Sequence, residues 1–537
     1  MEDLARDRDS LLSRPLYILF PLSLVVSVCL YLLTSRLRHA RQRYSKLPLP
    51  PGPPQLPIVG NFFNVPLHLS WLTHYQWRQV YGPVVHFKVG GQSTIVLTTV
   101  EAAHEILNKR ASNYSDRSFS YMATELVSKG YNMLLRQYDP HLRLHQRLHV
   151  HGLNPRSAML YQPIQELESL QLVKDILAGG KPKPGQHTGE KQSAEVVPHD
   201  PHWEFRRASA SSMSLIVWGY RLLKGQPGTE EEMDFFNKCP TSVILKGPFP
   251  WIDTFTWLKH VPYCISPWKR AGEKCHESEA AHHVANFRRA LKQPGYNISK
   301  QIAHGVDRLN AGMSETEMAW ISGTLTLANG ETSVSILCWF VVAMITYPHM
   351  MHKAQATLDQ VVGRERLPVY ADRAQLPYID AMIEEDEYMG YRIPKGAIVA
   401  ASQWAITRDK NVFGADSDDF RPERWLERDD LPKTSFGYGR RLCPGRHVGR
   451  EGLWIMFARL LWAFEMEAPT DPATLKKKVI DPMAMPTLGI VIAPEPFEAL
   501  FHPRGEWVEK LVHRELENSG KDVDSLMEQV EMAKGLQ

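Results

Sequence analysis

The spacing of apolar and polar residues along the chain is dominated by the helical period, with one strand-like stretch and one run that is apolar throughout. The uniform run covers residues 16–33 and carries no charge. At about 18 residues it is just long enough to cross a bilayer as a helix. Residues 84–99 alternate and are rich in β-branched side chains around Gly90-Gly91, which predicts a β-hairpin. A short amphipathic helix follows at 101–109. The longest helical pattern opens at Ser314-Glu315-Thr316-Glu317, which has capping-box spacing, and runs to Pro348, where a helix should stop. A helix from Glu315 to Thr346 would be about 48 Å long, enough to cross the molecule. Residues 447–466 pattern as an amphipathic to apolar helix, and the charged segment 506–537 as a helical or frayed tail. Residues 179–200, rich in Gly, Lys and Pro, read as an exposed loop. The predicted fold class is mainly α with small β-sheets.

Composition narrows the class without naming it. With 43% hydrophobic and 23% charged residues the chain is ordinary globular protein, and its net charge of +3 is too small to point to nucleic acid. The six cysteines show no zinc spacing and no disulfide framework, which places the main body in a reducing compartment. The apolar run is followed by Arg36, Arg38, Arg41, Arg43 and Lys46, whereas acidic residues offset the basic ones before it. The more positive flank stays cytosolic. The alternative, a cleaved signal peptide, lacks a small-residue cleavage site. The expected organisation is a lumenal N-terminus at 1–15, a transmembrane anchor at 16–34, a basic and proline-rich linker at 35–57, a main domain at 58–505 and the charged tail at 506–537.

The chemistry converges on Phe436-Gly437-Tyr438-Gly439-Arg440-Arg441-Leu442-Cys443-Pro444-Gly445. A lone cysteine stands between a glycine turn and the start of a helix. The glycines let the backbone bend tightly and approach a flat cofactor. The helix N-terminus and the charges of Arg440, Arg441 and Arg446 favour thiolate over thiol. Such a cysteine is suited to be an axial metal ligand; the plain alternative is a buried structural cysteine on a Gly-rich turn.

Phe436, Gly439, Arg441, Cys443 and Gly445 fall at the spacing of the haem-binding loop of the cytochrome P-450 family. The chain resembles that family from about residue 50 to about residue 504, and is most like its microsomal fungal members, which oxidise secondary metabolites. The resemblance implies a cytochrome P-450 fold on a single-pass anchor in the endoplasmic reticulum membrane, with the catalytic domain in the cytosol. It implies haem b (iron protoporphyrin IX) with Cys443 as the axial ligand of the iron. Thiolate ligation promotes O–O cleavage. The implied reaction inserts one oxygen atom from O2 into an apolar small molecule. No nucleotide-binding fingerprint occurs, so electrons from NADPH would arrive through a separate flavoprotein, the NADPH-cytochrome reductase. Arg440, Arg446 and Arg450 either present a basic face to it or are solvated charge.

Further roles carry over residue by residue. Ala328-Asn329-Gly330-Glu331-Thr332-Ser333 lies mid-way along the long helix, where the family uses an acid–alcohol pair to deliver protons during dioxygen activation. That assigns the acid role to Glu331 and the alcohol role to Thr332, although a helical threonine also commonly just bonds a preceding carbonyl. Asn329 replaces the usual Gly and either narrows the oxygen site or adds a hydrogen bond. Arg441 is the expected haem-propionate contact. Leu142-Arg143-Leu144-His145-Gln146-Arg147 matches the family's propionate-binding helix only in part. Leu142 replaces the usual Trp and Gln146 the second Arg, so Arg143 and His145 either reach a propionate carboxylate or are solvated surface charges.

One stretch departs from the pattern. Glu385 fits the Glu of the family's E-x-x-R motif, but the chain continues Asp386-Glu387-Tyr388-Met389-Gly390, so the Arg and the segment after it are missing. Phe420-Arg421-Pro422-Glu423-Arg424-Trp425 resembles the motif whose Arg, here Arg424, completes that ionic core. Losing the middle charge is expected to leave Glu385 and Arg424 poorly compensated. A clean junction between good matches points to a skipped exon, a gene-model error or a splice variant rather than to divergence. The alternative reading is therefore a haem-deficient, non-catalytic product. A haem-thiolate isomerase or dehydratase would dispense with Glu331-Thr332.

Overall fold

The computed structural model describes residues 47–535, except residues 58, 67–68, 90, 181–195, 239–251, 254–255, 310–311, 383–392, 395, 472, 482–483, 485–491 and 520–522. The predicted anchor at 16–34, Glu385 and the junction after it lie outside the described residues. Among the described residues, Glu315–Thr346 is the one helix long and apolar enough to cross a membrane, and it runs through the protein core.

The fold of residues 52–390 and 396–537 is mainly helical. The principal helices, in order, are α1 (Ser70–Tyr81), α2 (Pro140–Leu153), α3 (Gln162–Gly179), α4 (His202–Trp218), α5 (Pro267–Leu291), α6 (Ile298–Leu309), α7 (Glu315–Thr346), α8 (Pro348–Val361), α9 (Pro377–Asp380), α10 (Arg446–Ala463), α11 (Glu506–Ser519) and α12 (Val523–Lys534). The predicted hairpin is present as β1 (Val84–Val89) and β2 (Gln92–Leu97), antiparallel with Val84 opposite Leu97. Gly91 takes a positive φ of 87° at the turn, a conformation that glycine adopts without steric cost. A third strand, β3 (Ile398–Ala401), joins β2 in parallel from far along the chain. The amphipathic segment at 101–109 is helical from Val100 to Ala103, capped by the Thr99 hydroxyl, and widens into a π-helical turn from His104 to Lys109.

α7 begins and ends where its pattern predicts. The Ser314 hydroxyl accepts from the Glu317 amide at 3.1 Å, and Pro348 bars continuation after Thr346. α4, α5 and α10 pack around it. Trp218, Trp320, Trp454 and Trp462 are fully buried, and Phe340 stacks on Phe457 at 4.0 Å. Each large apolar side chain so buried contributes about 1.5–3 kcal/mol.

One segment differs from expectation, and the tail takes the helical one of its two expected forms. The helix predicted for 447–466 stops at Ala463, because Phe464–Glu467 becomes a strand, β4, paired antiparallel with β5 (Leu500–Pro503). The charged tail is not frayed over its described residues. α11 and α12 bury Val508, Val512, Met527 and Val530, and the Lys534 ammonium sits 4.4 Å from the Tyr296 ring centroid.

A buried ionic cluster ties α3 to α4. Arg207 donates to Glu168 at 2.9 Å and to Asp175 at 2.6 Å, and Arg221 donates to the other Glu168 oxygen at 2.6 Å. Each buried charge there has a partner of opposite sign, the condition under which burial is tolerated.

Candidate active site

The cysteine loop is shaped by two glycines with positive φ, Gly437 at 83° and Gly439 at 55°. The Cys443 amide donates to the Phe436 carbonyl at 2.9 Å and closes the loop. A Cβ on Gly439 would lie 2.1 Å from the Leu107 carbonyl oxygen, so only glycine permits this approach. The Gly439 amide donates to the Asn108 side chain, fixing the loop against the 104–109 turn.

Cys443 sits at the entrance to α10. Burial pushes its thiol up, while the Gly445 and Arg446 amides and the Arg446 charge pull it down. The helix end and Arg446 thus favour the thiolate as expected, and burial, the larger effect in the protein alone, opposes them. A bound metal ion would add to the effects that favour the thiolate.

Arg441, the expected propionate contact, donates to the carbonyls of Ser115 at 2.6 Å, Met133 at 3.3 Å and Arg136. Burial lowers its pKa to about 10. Phe436 lies under the Arg450 guanidinium, 5.9 Å from its ring centroid. Arg143 is exposed on α2 and, with Gln146 and Arg147, lines an open hollow of about 610 Å³. Leu142 is buried in the space where the sequence pattern lacks its Trp. His145 is not a solvated surface charge but fully buried, its ring turned to the carboxylate of Glu317 at 3.0 Å.

On α7 the helical period brings Ala328, Thr332 and Ile336 onto one face, and all three are exposed although the helix is otherwise largely buried. The Thr332 hydroxyl donates to the Ala328 carbonyl at 2.7 Å, leaving its oxygen free to accept a hydrogen bond from that open side. Asn329 turns away toward α4. Its amide donates to the Ser209 carbonyl at 2.9 Å and its oxygen accepts from Ser333 at 2.8 Å, so it adds one hydrogen bond between helices and one within its own. Asn329 and Ser333 share with Val448 and Gly449 of α10 a cavity of about 20 Å³, room for one water.

Glu331 acts electrostatically on Arg206 and His202 of α4. Burial lowers the pKa of Arg206, and Glu331 offsets that. Arg206 carried no sequence signal, because an arginine in a helix becomes notable only once its burial is known.

A Cβ built on Gly437, Gly445 or Gly449 meets nothing within 4 Å. Open space therefore flanks Cys443 and the first turns of α10, and the exposed α7 face is apolar apart from Thr332. A soft sulfur donor, a glycine-lined space and an apolar helix face fit a flat tetrapyrrole bound through sulfur.

The cytochrome P450 family model matches residues 50–386 and 384–501. The chain belongs to the cytochrome P450 family. Among its relatives, a cytochrome P450 monooxygenase (aneD) of Aspergillus aculeatus is 32% identical, over 89% of this chain and 93% of that protein. A cytochrome P450 monooxygenase (peniB) of Penicillium patulum is 31% identical, over 89% of each. A zebrafish cytochrome P450 structure with progesterone shares the fold, with a TM-score of 0.65 at 20% identity, covering 81% of this chain and 99% of that one. The cytochrome P450 chain described here is thus of the haem-dependent monooxygenase class, and uses O2, a redox partner and a small-molecule substrate.

The family match is broken at residues 384–386, where the sequence pattern also breaks. On the near side α9 is only four residues long, its Asp380 held by Arg373, which also reaches Glu451 at 2.6 Å. On the far side Arg424 is not left without a counter-charge, contrary to expectation. It donates to the Asp416 carboxylate at 2.8 Å and to the Asp416 carbonyl at 2.7 Å, with a further bond to the Phe413 carbonyl.

Proposed function

We propose that this cytochrome P450 inserts one oxygen atom from O2 into an apolar small molecule of fungal secondary metabolism. NADPH supplies the electrons through a separate flavoprotein reductase, and the body is tethered to the endoplasmic reticulum membrane by residues 16–34. The observation that carries the reading is the exposed Thr332 between Ala328 and Ile336 on an otherwise largely buried helix.

The cofactor is haem b, held by Cys443, and it supplies the oxygen-activating redox chemistry when bound. Gly445 and Gly449 leave it room, and the Phe436 carbonyl holds the loop closed by accepting from the Cys443 amide. Arg441 and Arg143 are the proposed propionate contacts. The Thr332 hydroxyl accepts and relays protons on the open face of α7. Glu331, half-buried and acting electrostatically on Arg206 and His202 of α4, exchanges protons with solvent. The apolar Ala328 and Ile336 around Thr332 favour an apolar substrate, which would displace water from this face on binding.

The test is Thr332→Ala. The expected result is unchanged binding of cofactor with a several-fold fall in product formed per NADPH consumed; unchanged coupling would overturn the role. The broken match at residues 384–386 favours a second reading, a product that retains haem weakly or not at all. The spectrum of the reduced, CO-bound protein separates the two, since a thiolate-type Soret band requires Cys443 to hold haem.

A further inference from the structure

Away from the cysteine loop, α2 and the first turn of α7 bring two histidines and a glutamate together. His141 and His145 are four residues apart and so share one face of α2. Their rings lie edge to face, 6.4 Å apart. Both aim a nitrogen at the same Glu317 oxygen, His141 Nδ1 at 3.3 Å and His145 Nε2 at 3.0 Å, and the three donor atoms lie within 4.8 Å of one another. His145 is fully buried, Glu317 nearly so, and His141 about half exposed.

We infer that His141, His145 and Glu317 form a binding site for a divalent transition-metal ion, with zinc the best fit. Two imidazoles and a carboxylate are a ligand set that zinc takes, with a fourth position left for water. Metal–ligand bonds of about 2.0–2.1 Å in a tetrahedron put donors about 3.3 Å apart, close to the two distances found. The exposed side of His141 provides both the entry path and the place for that water. The nearest carboxylates add attraction: Glu317 is a ligand, and the charge of Asp139, the N-cap of α2, interacts with His141.

The second shell is thin. The Nδ1 of His145 is buried with no hydrogen-bond partner. A ligating histidine is normally oriented by an acceptor on its other nitrogen, and lacking one lowers metal affinity by about 10–100-fold. The site therefore suits a reversibly bound ion. An ion there would clip α2 to the first turn of the helix that carries Glu331 and Thr332, about 21 Å further along.

The test is calorimetric titration of the purified full chain with zinc chloride, repeated for His141→Asn and Glu317→Gln. His141 is exposed enough for its replacement to leave the core untouched. The wild type is expected to bind about one zinc ion that both variants lose, and its thermal midpoint to rise with zinc while theirs does not. Equal zinc binding by all three proteins, or no rise in the wild-type midpoint, would overturn the assignment.

Discussion

Replacing each of three glycines of the cysteine loop by alanine separates backbone strain, steric clash and cofactor space. Gly437 has a positive φ of 83° but an open Cβ position, so Gly437→Ala pays only the left-handed penalty, about 1–2 kcal/mol. Gly439 combines a φ of 55° with a Cβ position 2.1 Å from the Leu107 carbonyl oxygen and 3.1 Å from the Ala111 methyl. Neither neighbour is a flexible chain end, so backbone must move. Gly439→Ala adds an overpacking cost of about 1–3 kcal/mol to the conformational one, for about 2–5 kcal/mol in all. Gly445 has neither problem, and Gly445→Ala is expected to leave the fold's stability nearly unchanged while its methyl enters the space beside Cys443. The assay pairs urea unfolding with haem content from the Soret band. The expected order of destabilisation is Gly439 above Gly437 above Gly445, with Gly445→Ala losing haem at near wild-type stability. Equal unfolding midpoints for Gly439→Ala and Gly437→Ala would refute the steric argument.

Three further outcomes are expected from the same structure. Asp416→Asn removes the counter-charge of buried Arg424 but leaves its carbonyl acceptors, and because Asp416 is partly exposed the expected loss is about 1–2 kcal/mol by urea unfolding. His149 is fully buried and bonded to the Ile321 carbonyl at 3.2 Å, and burial lowers its pKa to about 4. The unfolded chain therefore takes up a proton as pH falls below about 6.5 whereas the folded chain resists until about 4. Stability should fall across that window by about 3 kcal/mol from this residue, and His149→Gln should flatten the slope in pH-dependent unfolding. Burial likewise lowers the Lys534 pKa to about 8, so pH titration of its signal by NMR should find it well below the usual lysine value.

Local pattern carried much of this protein. α7 was legible from a capping serine at one end, a proline at the other and apolar residues between, because those signals act within a turn or two of helix. The hairpin was legible from alternation about a glycine pair. The cysteine loop was legible because its spacing is short and its glycines answer to backbone geometry, and the break after Glu385 because it interrupts an otherwise continuous match. What pattern could not supply were contacts between residues far apart in sequence. The truncation of the helix at Ala463 depended on a strand partner at Leu500–Pro503. Asn329 could have pointed either way until α4 offered it the Ser209 carbonyl. Arg424 found Asp416, and His145 found Glu317, only once folding had set their distances. The balance at Cys443 was likewise tertiary. Sequence showed the helix end and the arginines, but how strongly burial opposes them depends on how much water the folded chain excludes from the sulfur.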